Sequence, residues 1–257
     1  MKTKRSGQAG KSGSPEEWVY GLNPVLEALR SGRKVRTVFI SLARRQQLAG
    51  IEQEVASRGI RLQRTEQAFF DGRFPKGHQG VAAVAEPRAY LGIEDLLRIP
   101  EARNEIPFFL VLDCIEDPRN FGAVLRVADA GGVHGVVIQS HRSATLGPEA
   151  VKASAGAAEY IPVAMVNNIK YAINDMKEKG IMVFGAEAGA GDTVWDTDLT
   201  VPLAFVIGSE GKGIRRTVRE DCDALVSLPM KGKVNSLNAS VAAGIIIFEI
   251  IRQRTRK

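Results

Sequence analysis

The chain has 257 residues, of which 44% are hydrophobic and 25% charged, an ordinary globular composition that excludes wholesale disorder. Its longest apolar stretches are far shorter than the roughly 18 residues of a membrane helix. The basic N-terminus also lacks the apolar segment of a secretory signal. Cys114 and Cys222 are the only cysteines, too few for a disulfide framework, so we expect two reduced thiols in a cytoplasmic protein. The net charge of +6 favours a polyanionic partner such as RNA.

The first third of the chain predicts a basic arm followed by a small α/β module. Residues 1–15 are rich in Gly, Ser and Lys, which predicts disorder. Residues 16–86 alternate short apolar and helical segments, which is typical of an α/β unit. The predicted elements are helix 24–29 with Asn23 as its N-cap, strand 35–40, helix 46–57, strand 60–62, helix 66–70 and strand 81–85. Residues 87–106, with one short helical pattern at 93–98 between prolines, are interpreted as a linker.

The remainder, 107–257, predicts a second α/β domain. Its strands 108–112 and 203–207 are apolar throughout, which is typical of a parallel sheet covered on both faces. The other predicted elements are helix 123–130, strand 136–138, helices 148–158 and 169–179, strand 181–184, helix 214–220, strand 224–228 and helix 237–252. Ligands of open parallel sheets bind at the carboxyl ends of the strands. Three such ends, 113–122, 207–214 and 228–240, carry unusual polar and glycine residues, so we expect the functional site there.

Standard nucleotide and metal motifs do not explain these three loops. A P-loop requires a lysine where Ile214 stands, and Arg216 and Val194 occupy the third glycine position of the two Rossmann-like patterns. The three histidines show no metal-ligand spacing, so we expect no metal. Ser209 lies in G-S-E-G and not in the G-x-S-x-G turn of a hydrolase.

What remains is a set of glycine turns with an amide, a serine, an arginine and a glutamate. These groups suit the alignment of an oxygen nucleophile with an electrophile that is already activated. Each also has a purely structural interpretation: Asn120 as a helix cap, Glu210 as a carboxylate at a helix N-terminus, and Ser236 and Asn238 as further caps. Their occurrence on three strand-end loops of one sheet favours the functional interpretation.

The three loops resemble the signature motifs of one enzyme family. They read D-P-R-N-F-G-A-V-L-R (117–126), I-G-S-E-G-K-G-I (207–214) and L-P-M-K-G-K-V-N-S-L-N-A-S-V-A (228–242). The three motifs, in this order along the chain, are similar to those of the SpoU (TrmH-like) RNA ribose methyltransferases of the SPOUT superfamily. Y-G-L-N-P-V-L-E-A-L (20–29) and H-Q-G-V-A-A (78–83) resemble the bacterial RlmB-type members, which methylate a guanosine ribose in 23S ribosomal RNA.

The resemblance implies an architecture. The C-terminal domain, 107–257, is expected to be a SPOUT α/β domain with a parallel sheet and a deep trefoil knot. The N-terminal domain, 16–86, is expected to be an L30e/L7Ae-like RNA-binding unit. Family members are homodimers through the SPOUT domain, with residues borrowed across the interface, and the long last helix is expected to contact its copy.

The resemblance also implies a cofactor and two residue sets. The cofactor is S-adenosyl-L-methionine, with binding residues Ile207, Gly208, Ser209, Leu228, Met230, Ser236 and Leu237. The expected catalytic residues are Asn120, Arg126, Glu210, Ser236 and Asn238. A glycine at 208 is expected to allow close approach of the cofactor.

The role of Arg126 has two interpretations. In the family, the matching arginine has been proposed as the general base. A guanidinium with a pKa above about 12 rarely releases its proton, so we favour a cation that stabilises the developing alkoxide and grips a phosphate. Glu210 would then orient Arg126 or shape its own turn.

The implied reaction is in-line methyl transfer to the 2′-hydroxyl of a guanosine ribose in 23S ribosomal RNA. One alternative is ribose methylation of transfer RNA, which the N-terminal module disfavours because the simpler family members that act on transfer RNA lack it. Another is a non-catalytic RNA-binding factor in ribosome assembly, which the complete set of motif side chains disfavours.

Overall fold

The computed structural model describes residues 16–44, 48–233 and 236–256. The predicted arm 1–15 therefore lies outside the described residues. The chain forms a four-stranded sheet in its N-terminal part and a seven-stranded sheet in its C-terminal part. Among the helices of the described segments, none is both long and apolar enough to cross a bilayer.

The N-terminal unit is the predicted α/β module. Its elements are β1 (Glu17–Tyr20), α1 (Leu22–Arg30), β2 (Val35–Ser41), α2 (Ala49–Ser57), β3 (Arg61–Thr65), α3 (Gln67–Asp71) and β4 (Val81–Ala85). The strand order is β1-β4-β2-β3, with β2 and β3 parallel and the other pairs antiparallel. Strand β1 was not predicted, because four residues are too short to show an alternating pattern. The predicted start of α2 falls partly on residues 45–47, which lie outside the described residues.

The predicted Asn23 cap of α1 is wrong. The helix begins at Leu22, and its N-cap is Gly21, whose φ of 100° suits glycine. Gln79 from the turn before β4 supplies the missing acceptor, since its Oε1 accepts from the backbone N–H of Leu22 at 3.0 Å. A long-range contact therefore replaces the local cap that the sequence indicated.

The segment between the sheets packs against the C-terminal one. It contains α4 (Ile93–Leu97), which confirms the helix predicted there, and α5 (Ile99–Arg103), which was not predicted. Leu96 is fully buried, and a Cβ added at Gly135 would lie 2.3 Å from its Cδ1. Residues 93–97 therefore fix the position of the interdomain segment on the sheet.

The C-terminal sheet is parallel throughout, as predicted. Its elements are β5 (Phe108–Asp113), α6 (Pro118–Ala130), β6 (Gly135–Gln139), α7 (Pro148–Ala153), β7 (Val163–Val166), α8 (Ile169–Glu178), β8 (Met182–Ala186), β9 (Asp192–Thr193), β10 (Leu203–Gly208), α9 (Arg216–Arg219), β11 (Ala224–Ser227) and α10 (Ala239–Thr255). The strand order is β7-β6-β5-β10-β8-β11-β9. Strands β7 and β9 were not predicted, and the predicted helix 148–158 ends early because Ala155 and Gly156 adopt left-handed backbone conformations. The trefoil knot stays a prediction.

Helices cover both faces of this sheet. On β5, Phe108, Leu110 and Leu112 join the hydrophobic cluster that contains the buried residues of α6 and α10. Phe109 and Val111 point the other way, into the cluster with α8, α4 and α9. The alternation along one strand places an apolar side chain in each layer, which is why the strand reads as continuously hydrophobic.

A buried ion cluster joins the two domains. Arg33 contacts Glu17 (Nη2–Oε2, 2.7 Å) and Glu159 (Nη1–Oε1, 3.1 Å), and Arg88 contacts the same two carboxylates at 3.4 and 3.3 Å. Glu159 follows α7 and is 1% exposed at its side chain, and burial raises the pKa of its carboxyl. We call these four residues the junction cluster, and they fix the N-terminal domain on the C-terminal one.

Candidate active site

A cavity of about 320 Å³ opens at the carboxyl ends of β10, β8 and β11. These strands are neighbours in the sheet, so the loops that follow them converge. All seven residues predicted to bind the cofactor line the cavity: Ile207, Gly208, Ser209, Leu228, Met230, Ser236 and Leu237. The fold thus brings two of the three motifs together around one space, although they are about twenty residues apart in the chain.

Gly208 is required by the loop itself. A Cβ added there would lie 2.1 Å from the carbonyl carbon of Gly213 and 2.3 Å from the nitrogen of Ile214. The loop folds back at this point, and the N–H of Gly213 donates to the carbonyl of Ser209 at 2.9 Å. Contact between two stretches of backbone is therefore a sufficient steric reason for glycine, and the close approach of the cofactor stays a prediction.

The first motif reaches the cavity through Asn120 and Glu210. The Nδ2 of Asn120 donates to the Oε1 of Glu210 at 3.2 Å, and Glu210 lines the cavity. Asn120 is not the helix cap: α6 begins at Pro118, and Asp117 caps it by accepting from the N–H of Arg119 at 2.7 Å. Asn120 consequently lies in the first helical turn with its side chain directed at the second motif.

The third motif joins the same carboxylate. The Nδ2 of Asn238 donates to the Oδ1 of Asn120 at 3.0 Å and also to the Oε1 of Glu210. Its own Oδ1 caps α10 by accepting from the N–H of Ser240 at 2.9 Å. The structural and functional interpretations of Asn238 are therefore compatible. We call Asn120, Glu210 and Asn238 the amide–carboxylate triad.

Arg126 stands apart from the triad. It is exposed on α6 and forms no hydrogen bond or ion pair within the described part of its own chain. It lies six residues beyond Asn120, well over one helical turn away. Within a single chain, Glu210 thus contacts the two asparagines and not Arg126.

A buried carboxylate anchors the far end of the cavity loop. Asp113, fully buried at the end of β5, accepts from the N–H of Arg215 and from its Nε, both at 2.7 Å. The Nη2 of Arg215 also donates to the Oε1 of Gln139 at 2.7 Å. Hydrogen bonding to Asp113 raises the pKa of the Arg215 guanidinium. The sequence patterns did not predict this pair, although an acid that ends an apolar strand was a usable signal.

Glu187 was also missed. It follows β8, lines the cavity and pairs its Oε1 with the Nη1 of Arg219 at 3.0 Å. Since β8 lies between β10 and β11, its end forms the middle of the cavity. The signal was again an acid directly after an apolar strand, outside the three motifs.

Among the described residues, no group of three His, Cys, Asp or Glu side chains lies close enough to hold a metal ion. His78 and His134 are buried, and each bonds to a carboxylate and to a backbone N–H. Burial raises the pKa of both Cys114 and Cys222, the latter to about 12, so both thiols are neutral at pH 7.

The fold is that of a known class of methyltransferases. The SpoU methyltransferase AviRb from Streptomyces viridochromogenes, solved with S-adenosylmethionine, has a TM-score of 0.79 and 29% identity, covering 94% of this chain and 92% of its own. A TrmH/SpoU tRNA-modifying enzyme from A. aeolicus has a TM-score of 0.54 and 26% identity, covering 63% of this chain and 84% of its own.

Sequence comparison identifies the family. Residues 107–248 match the SpoU rRNA Methylase family, and residues 18–91 match the RNA 2′-O ribose methyltransferase substrate-binding domain. YacO of Bacillus subtilis (strain 168), whose name assigns it to the TrmH family of tRNA/rRNA methyltransferases, is 44% identical over 242 residues, 93% of this chain and 96% of YacO. The chain belongs to the SpoU family of RNA methyltransferases, so S-adenosylmethionine, the cofactor in the AviRb structure, is the ligand against which its cavity is compared.

The residues present fit this cofactor. The cavity volume of about 320 Å³ falls at the lower end of the range for sites that bind small molecules. Apolar side chains such as Val226 and Leu228 suit a purine ring, and three glycines of the second motif, Gly208, Gly211 and Gly213, line the cavity without a side chain of their own. Glu187 and Glu210 supply negative charge for a ligand that carries a sulfonium.

Proposed function

We propose that this enzyme transfers a methyl group from S-adenosylmethionine to the 2′-hydroxyl of a guanosine ribose in 23S ribosomal RNA. The observation that carries the proposal is the amide–carboxylate triad, which joins one residue from each motif beside the cavity. Such a triad holds fixed dipoles next to the place where an oxygen nucleophile would meet an activated methyl group.

The proposed catalytic set is Asn120, Arg126, Glu210, Ser236 and Asn238. When bound, S-adenosylmethionine supplies a methyl group that the sulfonium charge already activates. The protein therefore has to align the ribose oxygen and to stabilise the charge that develops on it. The asparagines hold Glu210, Ser236 offers an exposed hydroxyl at the cavity wall, and Arg126 supplies the cation that grips the adjacent phosphate and stabilises the alkoxide.

Arg126 requires a second subunit in this proposal. Helix α10 is apolar on its exposed side, where Val241 is 49% and Phe248 54% exposed. It packs beside α6, because a Cβ at Gly131 would lie 2.1 Å from Ile247. Two chains that paired through α10 would cover this apolar side and would place Arg126 of one subunit next to the interface. We therefore propose a homodimer whose active sites are shared.

The N-terminal domain favours ribosomal over transfer RNA. The tRNA-modifying enzyme from A. aeolicus aligns over 84% of its own length but over only 63% of this chain. More than a third of this chain thus has no counterpart there, and residues 18–91 match a substrate-binding domain. We assign residues 16–86 to RNA binding and 107–257 to catalysis. A ribosomal RNA substrate would place the enzyme in the cytoplasm.

Methylation mapping tests the proposal. Ribose methylation is compared at every 23S position in RNA from cells with the gene, without it, and with the Glu210→Ala variant. We expect one guanosine to lose its methyl group without the gene and with the variant. Loss at a transfer RNA position would support the tRNA alternative, and an unchanged methylation map would support the non-catalytic one.

A further inference from the structure

The two carboxylate oxygens of Glu187 differ in their hydrogen bonding. Its Oε1 is held by Arg219 at 3.0 Å, and its backbone N–H is held by the carbonyl of Val226 at 3.0 Å. The Oε2 makes no hydrogen bond within the described part of the chain, and it lies 3.7 Å from the position of a Cβ added at Gly213. The free acceptor thus faces the glycine turn that bounds the cavity.

Glu210, the second carboxylate of the cavity, has different hydrogen-bond partners. The Oε1 of Glu210 accepts from both asparagines of the triad and from the N–H of Ala239. The triad rests on α6 and α10, which cover one face of the sheet, whereas Arg219 belongs to α9, which packs on the other face. Glu210 is therefore held by residues from one face of the sheet, and Glu187 by a residue from the other face.

This division matches the two ends of the cofactor. In the proposed function the RNA oxygen meets the methyl group beside the triad, so the sulfonium and the amino-acid portion would lie there. The adenosine would then be held at the strand ends, where Ala186, Val226 and Leu228 offer apolar contacts for the base. The ribose, attached directly to the base, carries two hydroxyl donors that require acceptors.

We infer that Glu187 binds the ribose of S-adenosylmethionine by accepting hydrogen bonds from its 2′- and 3′-hydroxyls. A carboxylate that follows a parallel strand accepts ribose hydroxyls in dinucleotide-binding folds for the same physical reason. Arg219 positions the carboxylate through the contact of its Nη1 with the Oε1 of Glu187. The inference rests on the cofactor of the proposed function and does not depend on the RNA target.

A binding cycle between residue and ligand tests this contact. Calorimetry measures the affinity of the full chain for S-adenosylhomocysteine and for its 2′-deoxy and 3′-deoxy analogues. Since a hydrogen bond to a charged group is worth about tenfold or more in affinity, we expect the wild type to lose at least about tenfold with either analogue. Glu187→Ala should bind S-adenosylhomocysteine about as weakly as the wild type binds a deoxy analogue. Exchanging S-adenosylhomocysteine for either analogue should then lower the affinity of the variant by less than about twofold. Glu187→Gln, a neutral acceptor, should fall between.

The control is Glu220→Ala, which removes an exposed acid paired with Arg216 at 3.3 Å and should match the wild type with every ligand. If Glu187→Ala keeps the wild-type ratio between S-adenosylhomocysteine and the deoxy analogues, the carboxylate does not contact the ribose and the inference is wrong. It is also wrong if the variant binds methylthioadenosine, which lacks the amino-acid portion, as well as the wild type does. Melting curves verify folding, and Glu187→Gln carries the test if the alanine variant unfolds.

These outcomes are separate from those of the proposed function, because the binding measurements contain no RNA. If the wild type binds S-adenosylhomocysteine but methylates no ribosomal RNA, the RNA assignment is overturned and the inference about Glu187 still stands.

Discussion

The side-chain amide of Asn238 donates to the Oδ1 of Asn120 at 3.0 Å, across 118 residues of chain. The contact joins the N-cap of α10 to the first turn of α6, and both residues also donate to Glu210. The starts of two long helices and a strand-end loop are thereby held at one point beside the cavity.

The two asparagines should act as a unit. Asn120→Ala and Asn238→Ala are each expected to lower the methyl-transfer rate by about 10- to 100-fold, because each removes a donor from Glu210. The double variant should be little slower than the worse single one, since the second change acts on a triad already broken. Single-turnover rates with tritiated donor measure this. Asn174→Ala, on the exposed side of α8, is the control, and strictly multiplicative losses would argue against a coupled triad.

Gly208→Ala should disrupt the cavity. The added methyl overlaps the backbone at Gly213, so the loop must move, and we expect at least a tenfold loss in cofactor affinity with a lower melting temperature. Gly191→Ala is the matched control, because a Cβ there meets nothing within 4 Å. Calorimetric titration decides: wild-type affinity in Gly208→Ala would show that the loop has room that the structure does not indicate.

Arg33→Ala should destabilise the protein through the junction cluster. The substitution leaves the buried carboxylate of Glu159 with one cation fewer. Because a buried ion pair is broken, we expect the free energy of unfolding to fall by about 3 kcal/mol. Arg36→Ala, whose pair with Glu16 is exposed, should cost less than about 1 kcal/mol. Denaturant unfolding measures both free energies.

The loss in Arg33→Ala should depend on pH. Burial already raises the pKa of Glu159, and the two arginines oppose that rise. Without Arg33 the pKa rises further, so the folded state favours the protonated acid, and stability is lost as the pH increases through that pKa. The difference from the wild type should be smaller at pH 5 than at pH 7.5; an equal or larger difference at pH 5 would mean that Glu159 is not the responsible group.

Arg126 and Glu210 should complement each other between subunits. Arg126→Ala and Glu210→Ala homodimers are each expected to be nearly inactive. Co-expressed chains should regain about a quarter of the wild-type activity, because random pairing makes half of the dimers mixed and each of these has one intact shared site. Tagged purification of mixed dimers followed by the methylation assay measures this, and no recovery would place both residues in the site of one chain.

Arg126→Lys separates charge from geometry. Lysine keeps the positive charge but loses the planar pair of donors that grips a phosphate, so we expect at least a tenfold loss in rate. Lys170→Arg, an exchange in the opposite sense on the distant α8, should leave the rate unchanged. Wild-type activity in Arg126→Lys would exclude an essential bidentate contact.

Local patterns predicted most elements of the C-terminal domain. The predicted strand 108–112 was confirmed. The prediction succeeded because an uninterrupted apolar run between polar loops is typical of a strand buried on both faces of a parallel sheet. The predicted start of α6 at Ala123 is five residues late, because Pro118 resembles a loop residue although it occupies the first helical turn after the Asp117 cap. The missed strands β1, β7 and β9 are two to four residues long, and their pairing partners determine them more than their own sequences do.

The amino-acid sequence alone determined the parallel sheet, the family and the motif residues that line the cavity, because apolar runs and motif side chains are local properties of the chain. Only the tertiary structure decided which of those residues meet. It joined Asn120, Glu210 and Asn238 at one carboxylate, set Arg126 apart on the surface, and brought Glu187 into the cavity from a strand that carries no motif. These contacts depend on the order in which strands pair, which spacing along the chain does not encode.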